Sequence, residues 1–269
     1  MTQGDKGVRV VKQWLKWIVL CISVLAVAGC GGTKSDAPQS TTWKVGTNAT
    51  FVPFEYTDES HKLNGFDIEL FNAIAKKAGI QVEYKNVSFD GLIPALGTKQ
   101  IDAAISGMTI TKARAEKVDF SFPYYQSGLG VLTKDGTAVE DLSELSGKKV
   151  AVQLGTTAAE KASEISNIEL RTFDNNSESL LELTKGGVDA VIADLPVLQY
   201  YLTTKKDSAA KLSVIESKNP EYFGITVKKG NKEVKDKINA ALQELKKDGT
   251  LDALYQKYFN QDAPVMPEK

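Results

Sequence analysis

From residue 43 onward, apolar and polar positions fall into a rhythm of short strand-like runs and longer amphipathic ones. "TWKVG" and "QVEYKNV" read as strands. Between them "GFDIELFNAIAKKAG" sets Ile68, Phe71, Ile74, Ala75 and Ala78 at helical spacing, with Gly79 as the stop. "FDGLIPALGTKQ" reads as a short helix and "QIDAAIS" as a short buried strand; Gly107 then turns the chain, and Thr111 caps a helix beginning near Lys112. Beyond "VDFSFPYYQSGLGVLT" the rhythm restarts. "KKVAVQL", "IELRTF" and "VDAVIA" read as strands, and "TTAAEKASEI", "SESLLELTKG" and "LPVLQYYLTT" as helices. "KEVKDKINAALQELKKDG" and "TLDALYQKYF" close the chain as helices. Strands alternating with helices predict an α/β fold with a largely parallel sheet. "LGTKQIDAAISG" (96–107) and "LTKGGVDAVIAD" (183–194) echo each other as helix end, turn, Asp and apolar strand. The echo predicts two similar α/β lobes, each offering strand ends to a common cleft.

Residues 1–42 break the rhythm. Lys6, Arg9, Lys12 and Lys16 precede "WIVLCISVLAVAG", too short to span a bilayer comfortably but suited to the apolar core of a signal peptide. The run ends in "AVAGC", which resembles the lipobox of bacterial lipoproteins, where the chain is cut before the cysteine and the thiol carries a diacylglycerol. Residues 1–29 are expected to be a lipoprotein signal peptide, with Cys30 the lipid anchor. Residues 30–42, small and polar, are expected to form a flexible tether reaching roughly 20 Å. Cys21 leaves with the signal, so the mature chain keeps no thiol for a disulfide or metal site. Composition adds little: 269 residues, 42% hydrophobic and 25% charged, fit an ordinary soluble protein. Lys+Arg (33) balance Asp+Glu (34) with no basic block, so nothing points to a nucleic-acid partner. Loss of residues 1–29 takes the formal charge from −1 to about −4.

Three features stand out chemically. Arg114 occupies the position where a capping box would carry Glu or Gln, and a cation in the first helical turn opposes the macrodipole. It therefore awaits an anion, which a guanidinium can grip bidentately. In "VQLGTTAAEK", Gly155 is followed by Thr157 with Glu160 three residues on, a capping box that leaves the N–H groups of Thr156 and Thr157 free for an anion. Asp194 ends an apolar strand, either as a helix cap or as a buried counter-charge. Arg114 with the amides for a carboxylate, and Asp194 with the Thr109 hydroxyl for an ammonium, describe the two ends of an α-amino acid.

"GTNATFVPFEY…GFDIEL", "FDGLIPAL", "IDAAISGMTIT…R…DFSFPYY", "VAVQLGTT" and "GGVDAVIAD" together resemble the polar amino-acid binding proteins of ABC importers, the family 3 solute-binding proteins. The resemblance runs over residues 43–259. It implies a two-lobed periplasmic-binding-protein type II fold with two hinge strands that closes on its ligand. By position, residues 43–126 and 225–269 would form the first lobe and 127–224 the second, with hinge crossings near 126–130 and 222–226. It also implies that Phe51 and Phe89 sandwich the ligand, that Gly107 and Thr109 accept from its ammonium, and that Arg114 clamps its carboxylate. Thr156 and Thr157 would be the opposing amide donors and Asp194 the ammonium counter-charge.

The same resemblance implies that specificity turns on Asn48 and Gln153. Relatives that bind glutamine or basic amino acids often carry Asp at the first position, and some glutamine binders Lys at the second; here both present donors and acceptors without charge. Burying a cationic side chain beside two neutral amides is costly unless Glu55 or Asp90 supplies a carboxylate. Glutamine is thus the expected ligand and an arginine- or lysine-type protein the alternative. A dehydratase-like enzyme on the same fold is the alternative of another class. Against it, His61, the chain's single histidine, lies in the polar turn "TDESHKLNG", and no nucleophile–base pair, phosphate loop or metal spacing appears. No cofactor is expected. The partners expected are a free polar amino acid, a transmembrane permease with its ATPase and, through the lipid, the outer face of the cytoplasmic membrane. The protein is expected to be a monomer.

Overall fold

The computed structural model describes residues 41–205, 209–215 and 220–267. The expected signal peptide, Cys30 and all but the last two tether residues lie outside them. The described chain opens with β1 (Thr42–Thr47) and a small three-stranded sheet of β2 (Thr50–Phe51), β3 (Glu55–Thr57) and β4 (Leu63–Asn64). It continues through α1 (Phe66–Ala78), β5 (Gln81–Asn86), α2 (Leu92–Gly97), β6 (Ala103–Ala104), α3 (Lys112–Lys117) and β7 (Val118–Ser127). A second series follows: β8 (Leu129–Thr133), β9 (Lys149–Gln153), α4 (Thr157–Ser163), β10 (Glu169–Phe173), α5 (Asn176–Lys185), β11 (Ala190–Asp194), α6 (Leu195–Lys205) and β12 (Lys211–Ile215). The chain then returns through β13 (Glu221–Lys228) to α7 (Lys232–Lys247) and α8 (Thr250–Phe259).

Two five-stranded sheets result, ordered β5-β1-β6-β13-β7 and β10-β9-β11-β8-β12. In each, three neighbouring strands are parallel, the fourth (β13 or β8) runs against them, and the last (β7 or β12) runs with them again, so the final two pairings of each sheet are antiparallel. The sheets are thus more mixed than a plain strand–helix alternation predicts, because the strands flanking each change of sheet enter antiparallel. The first change falls between Ser127 and Leu129, inside the expected stretch. The second falls between Ile215 and Glu221, ahead of residues 222–226, because β13 already pairs with β7 from Glu221↔Ser127 onward.

α1 behaves as its pattern requires. Ile68, Phe71, Ile74 and Ala75 are buried, Asp67 and Glu69 sit in its first turn, Lys76 and Lys77 in its last, and Gly79 takes a left-handed φ of 65°. Its apolar face joins β1, β13, α7 and α8 around an aromatic cluster of Phe54, Phe66, Tyr125, Phe223, Tyr255 and Phe259. In the second sheet β9 and β11 are buried almost throughout, which is why "KVAVQ" and "AVIAD" read as apolar runs rather than alternations. No helix among the described residues is long and apolar enough to cross a membrane.

Candidate functional site

The strand ends converge. Asn48 follows β1, Ser106, Gly107 and Thr109 follow β6, Gln153 ends β9, and Asp194 ends β11; all of them line one pocket with about 290 Å³ of empty space. Phe51, Glu55, Phe89, Arg114, Thr156 and Thr157 complete the lining. The structure therefore brings together every residue singled out for the pocket, places Glu55, one of the two carboxylates considered, among them, and adds Ser106.

α3 holds Arg114. Thr111 caps the helix as its position predicts, its Oγ1 accepting from Arg114 N at 3.2 Å. The guanidinium is buried and half satisfied: Nη1 donates to the Thr109 carbonyl at 2.7 Å and Nη2 to the Gly155 carbonyl at 2.9 Å. Its carbon lies 5.4 Å from the centre of the Phe89 ring. With five N–H groups in all, it keeps three for an incoming anion. The bond to Gly155 joins the first half of the chain to the second. Gly155 suits that junction: it has φ +77°, and a Cβ there would come within 2.9 Å of Asp90 Cβ. Gly107 turns at φ +52°, where a Cβ would meet the Phe51 ring at 2.6 Å.

The opposing helix starts one residue earlier in its cap than the capping-box spacing predicts. Thr156, not Thr157, is the cap: its Oγ1 accepts from Ala159 N at 3.1 Å and donates to the Gln153 carbonyl at 2.7 Å. A box built on Thr157 fails because Thr157 already has helical geometry.

The carboxyls are as buried as the guanidinium. Asp194 is 6% exposed and accepts from Ser127 Oγ at 2.9 Å. Burial lifts it to about 7 against the pull of that hydroxyl, with Glu221 pushing the same way and Arg114 opposing. Glu55, 1% exposed on β3, accepts from Ser106 Oγ at 2.6 Å. Burial first, and the neighbouring Asp67 next, hold its carboxyl well above the ordinary range. Burial also lifts Asp67 to about 6, although Gly107 N and Tyr124 Oη donate to it at 2.9 and 2.7 Å.

Asn48 and Gln153 touch each other. Gln153 Nε2 donates to Asn48 Oδ1 at 2.9 Å, bridging residues 105 positions apart. Chemically, the pocket pairs one guanidinium with an opposing carboxylate across a gap lined by aromatic rings, hydroxyls and amides. That constellation accommodates a zwitterion.

The match to known proteins decides the family. Residues 43–261 match the model of bacterial extracellular solute-binding proteins, family 3. The chain belongs to this family. The arginine-binding extracellular protein ArtP of Bacillus subtilis (strain 168) is 34% identical over 253 residues, covering 93% of this chain and 98% of that protein. An ancestral arginine-binding protein solved with arginine bound superposes with a TM-score of 0.77 at 47% identity, over 81% of this chain and 98% of that one. The structure described as an ancestral arginine-binding protein bound to glutamine superposes equally well, at 47% identity over 82% and 98%.

For a family 3 solute-binding protein, Ser106 and Glu55 in the pocket are informative. Ser106 is a hydroxyl closing an apolar strand, a signal like the one that singled out Asp194, which lies one position further along in the second half. Glu55 stands among aromatics in "FVPFEY", a run read as loop; the small sheet of β2 to β4 turns it inward. Asp90, the other carboxylate considered, is exposed and outside the lining. His61 sits in an exposed turn at φ 59°.

Proposed function

We propose that this chain is the lipid-anchored extracytoplasmic binding subunit of an ABC importer for a cationic L-α-amino acid, arginine foremost. It would capture the ligand by closing the half built on the first sheet, β1 to β7 with β13, α7 and α8, on the half built on the second, β8 to β12. Arg114 clamps the α-carboxylate, Asp194 and the Thr109 hydroxyl take the α-ammonium, and Phe51 and Phe89 flank the body of the ligand. The observation that carries the choice of side chain is the charge count in the pocket: two buried carboxyls, Asp194 and Glu55, against the single Arg114. An amino acid of net charge +1 balances that set, and a neutral one leaves an acid that must stay protonated. This reading replaces glutamine, expected from the two neutral amides, because Glu55 brings the carboxylate whose absence favoured it. The arginine-binding relatives support the same choice.

A thermal-shift screen against the twenty amino acids tests it. At about 100 times its Kd, arginine adds roughly 2.7 kcal/mol to stability. Tighter binding of glutamine than of arginine overturns the cationic reading. Anchoring is tested separately: Cys30→Ser is expected to move the protein from the membrane fraction to the soluble one, since acyl chains supply the attachment. A variant that still sediments with membranes refutes the lipid anchor.

A further inference from the structure

Both amides of the pocket wall are already engaged, and the way they are engaged leaves little freedom. Gln153 Nε2 donates one hydrogen to Asn48 Oδ1 at 2.9 Å and the other to the Asp174 carbonyl at 3.0 Å. Asn48 Nδ2 donates to the Val87 carbonyl at 3.2 Å, and Asn48 Oδ1 also accepts from Thr50 Oγ1 at 2.8 Å. Both lone pairs of that oxygen are then used. The ends of this chain of bonds are two backbone carbonyls, Val87 and Asp174, which can only accept. Neither amide can therefore flip without setting oxygen against oxygen. What remains of Gln153 is Oε1, to which no described residue donates, on a side chain that lines the pocket.

We propose that Asn48 and Gln153 form a polarity filter: their mutual hydrogen bond fixes the Gln153 amide so that Gln153 presents the site with an acceptor, Oε1, and no donor. The filter rests on the cationic reading above and explains how two uncharged residues serve it. Asn48 comes from the end of β1 and Gln153 from the end of β9, so the bond joins the two sheets. Selection is imposed where the two halves meet. Guanidinium and ammonium groups, all donor, satisfy Oε1. A carboxamide satisfies it with its NH₂ but finds no donor on Gln153 for its carbonyl, and a carboxylate is repelled.

The test is the ratio of arginine to glutamine affinity, measured by calorimetry on the mature chain. Asn48→Leu removes the acceptor that holds Nε2, freeing Gln153 to turn a donor toward glutamine. The ratio is expected to fall about tenfold, the worth of one hydrogen bond. Adding Gln153→Glu to Asn48→Leu is expected to restore the preference for arginine, because an ionised carboxylate accepts whatever its neighbour does. Equal losses for both ligands in Asn48→Leu, leaving the ratio within twofold of wild type, overturn the filter and reduce the bond to a contact between halves. Should Asn48→Leu misfold, Gln153→Leu removes Oε1 itself without adding charge and is expected to lower the ratio by a similar factor; a ratio within twofold of wild type there also overturns the filter. Wild-type protein with no preference for arginine sinks the cationic reading itself, and the change of ratio on Asn48→Leu still decides the filter.

Discussion

The two halves of the molecule are built alike and end differently. In the first sheet Lys44 N donates to Asp102 Oδ2 at 2.8 Å and Asp102 N to the Lys44 carbonyl at 2.7 Å; in the second, Lys149 and Asp189 make the same pair of bonds, each at 2.8 Å. From those brackets the registers run in step, Val45↔Ala103 and Gly46↔Ala104 in one, Val150↔Ala190 and Ala151↔Val191 in the other. Counting on from Lys44 and Lys149, Asn48 and Gln153 fall on equivalent positions, and these are the residues that bond across the halves. After the third strand of each sheet the likeness ends. The first half turns at Gly107 into a short helix carrying a cation, and the second stops on an anion, Asp194. The core fixes the scaffold, while the residues just past the strand ends are free to differ. An asymmetric ligand with a carboxylate at one end and an ammonium at the other fits between two such halves.

Removing the cation from the first half breaks this asymmetry most severely. Arg114→Ala is expected to leave the fold intact and weaken ligand binding by about thirty- to several-thousand-fold, the usual 2–5 kcal/mol for one partner of a desolvated charge pair. A calorimetric loss below threefold removes Arg114 from the site. Its counterpart in the second half gives a smaller effect with a pH signature. Asp194→Asn keeps the shape and is expected to cost about ten- to 150-fold in affinity, the worth of a charged hydrogen bond.

The sign of the pH effect follows from burial. With its folded-state value raised to about 7, Asp194 holds a proton in the native protein across a range where the unfolded chain has released it. Ligand-free stability therefore falls as pH rises from about 4 to about 7 and levels off above. Asp67, raised to about 6, contributes in the same direction. Asp194→Asn is expected to flatten part of that slope and to melt higher than wild type at pH 8 without ligand. In its proposed role Asp194 pairs with the ligand's ammonium as an ionised carboxylate, so wild-type affinity is expected to drop below pH 7. A wild-type melting profile that rises steadily from pH 5 to pH 8 contradicts the assignment.

The same asymmetry explains what was readable in the chain. Arg114 and Asp194 were legible because each violates a local rule: a cation where a helix start favours acid, and an acid where an apolar strand should run on. The alternation of strands and helices and the paired "IDAAIS" and "VDAVIA" segments were legible because burial imposes their pattern. Glu55 was not, since a loop-like run of aromatics gives no period, and its inward aim depends on pairing in a three-stranded sheet of very short strands. Nor was the bond between Asn48 and Gln153. Each amide alone reads as free to face a ligand, and only the approach of residues 105 positions apart shows them facing each other.

The smallest expected effect probes the likeness itself. Asp102 and Asp189 sit at the starts of β6 and β11, whereas the pocket lies past the far ends. β11 is five residues long, so Asp189 is about 16 Å from the site by strand rise. Each aspartate ties down one N–H of the neighbouring strand near solvent, where water can replace it. Asp102→Ala and Asp189→Ala are therefore each expected to cost about 0.5–1.5 kcal/mol, which for a chain of this size lowers the melting temperature by about 1–6 °C. Neither should move the Kd for arginine more than twofold, and the two losses should match and add in the double variant, since the sites share no partner. Unequal losses, or a Kd that follows one aspartate and not the other, would show that the halves bear different mechanical loads despite matching bond for bond.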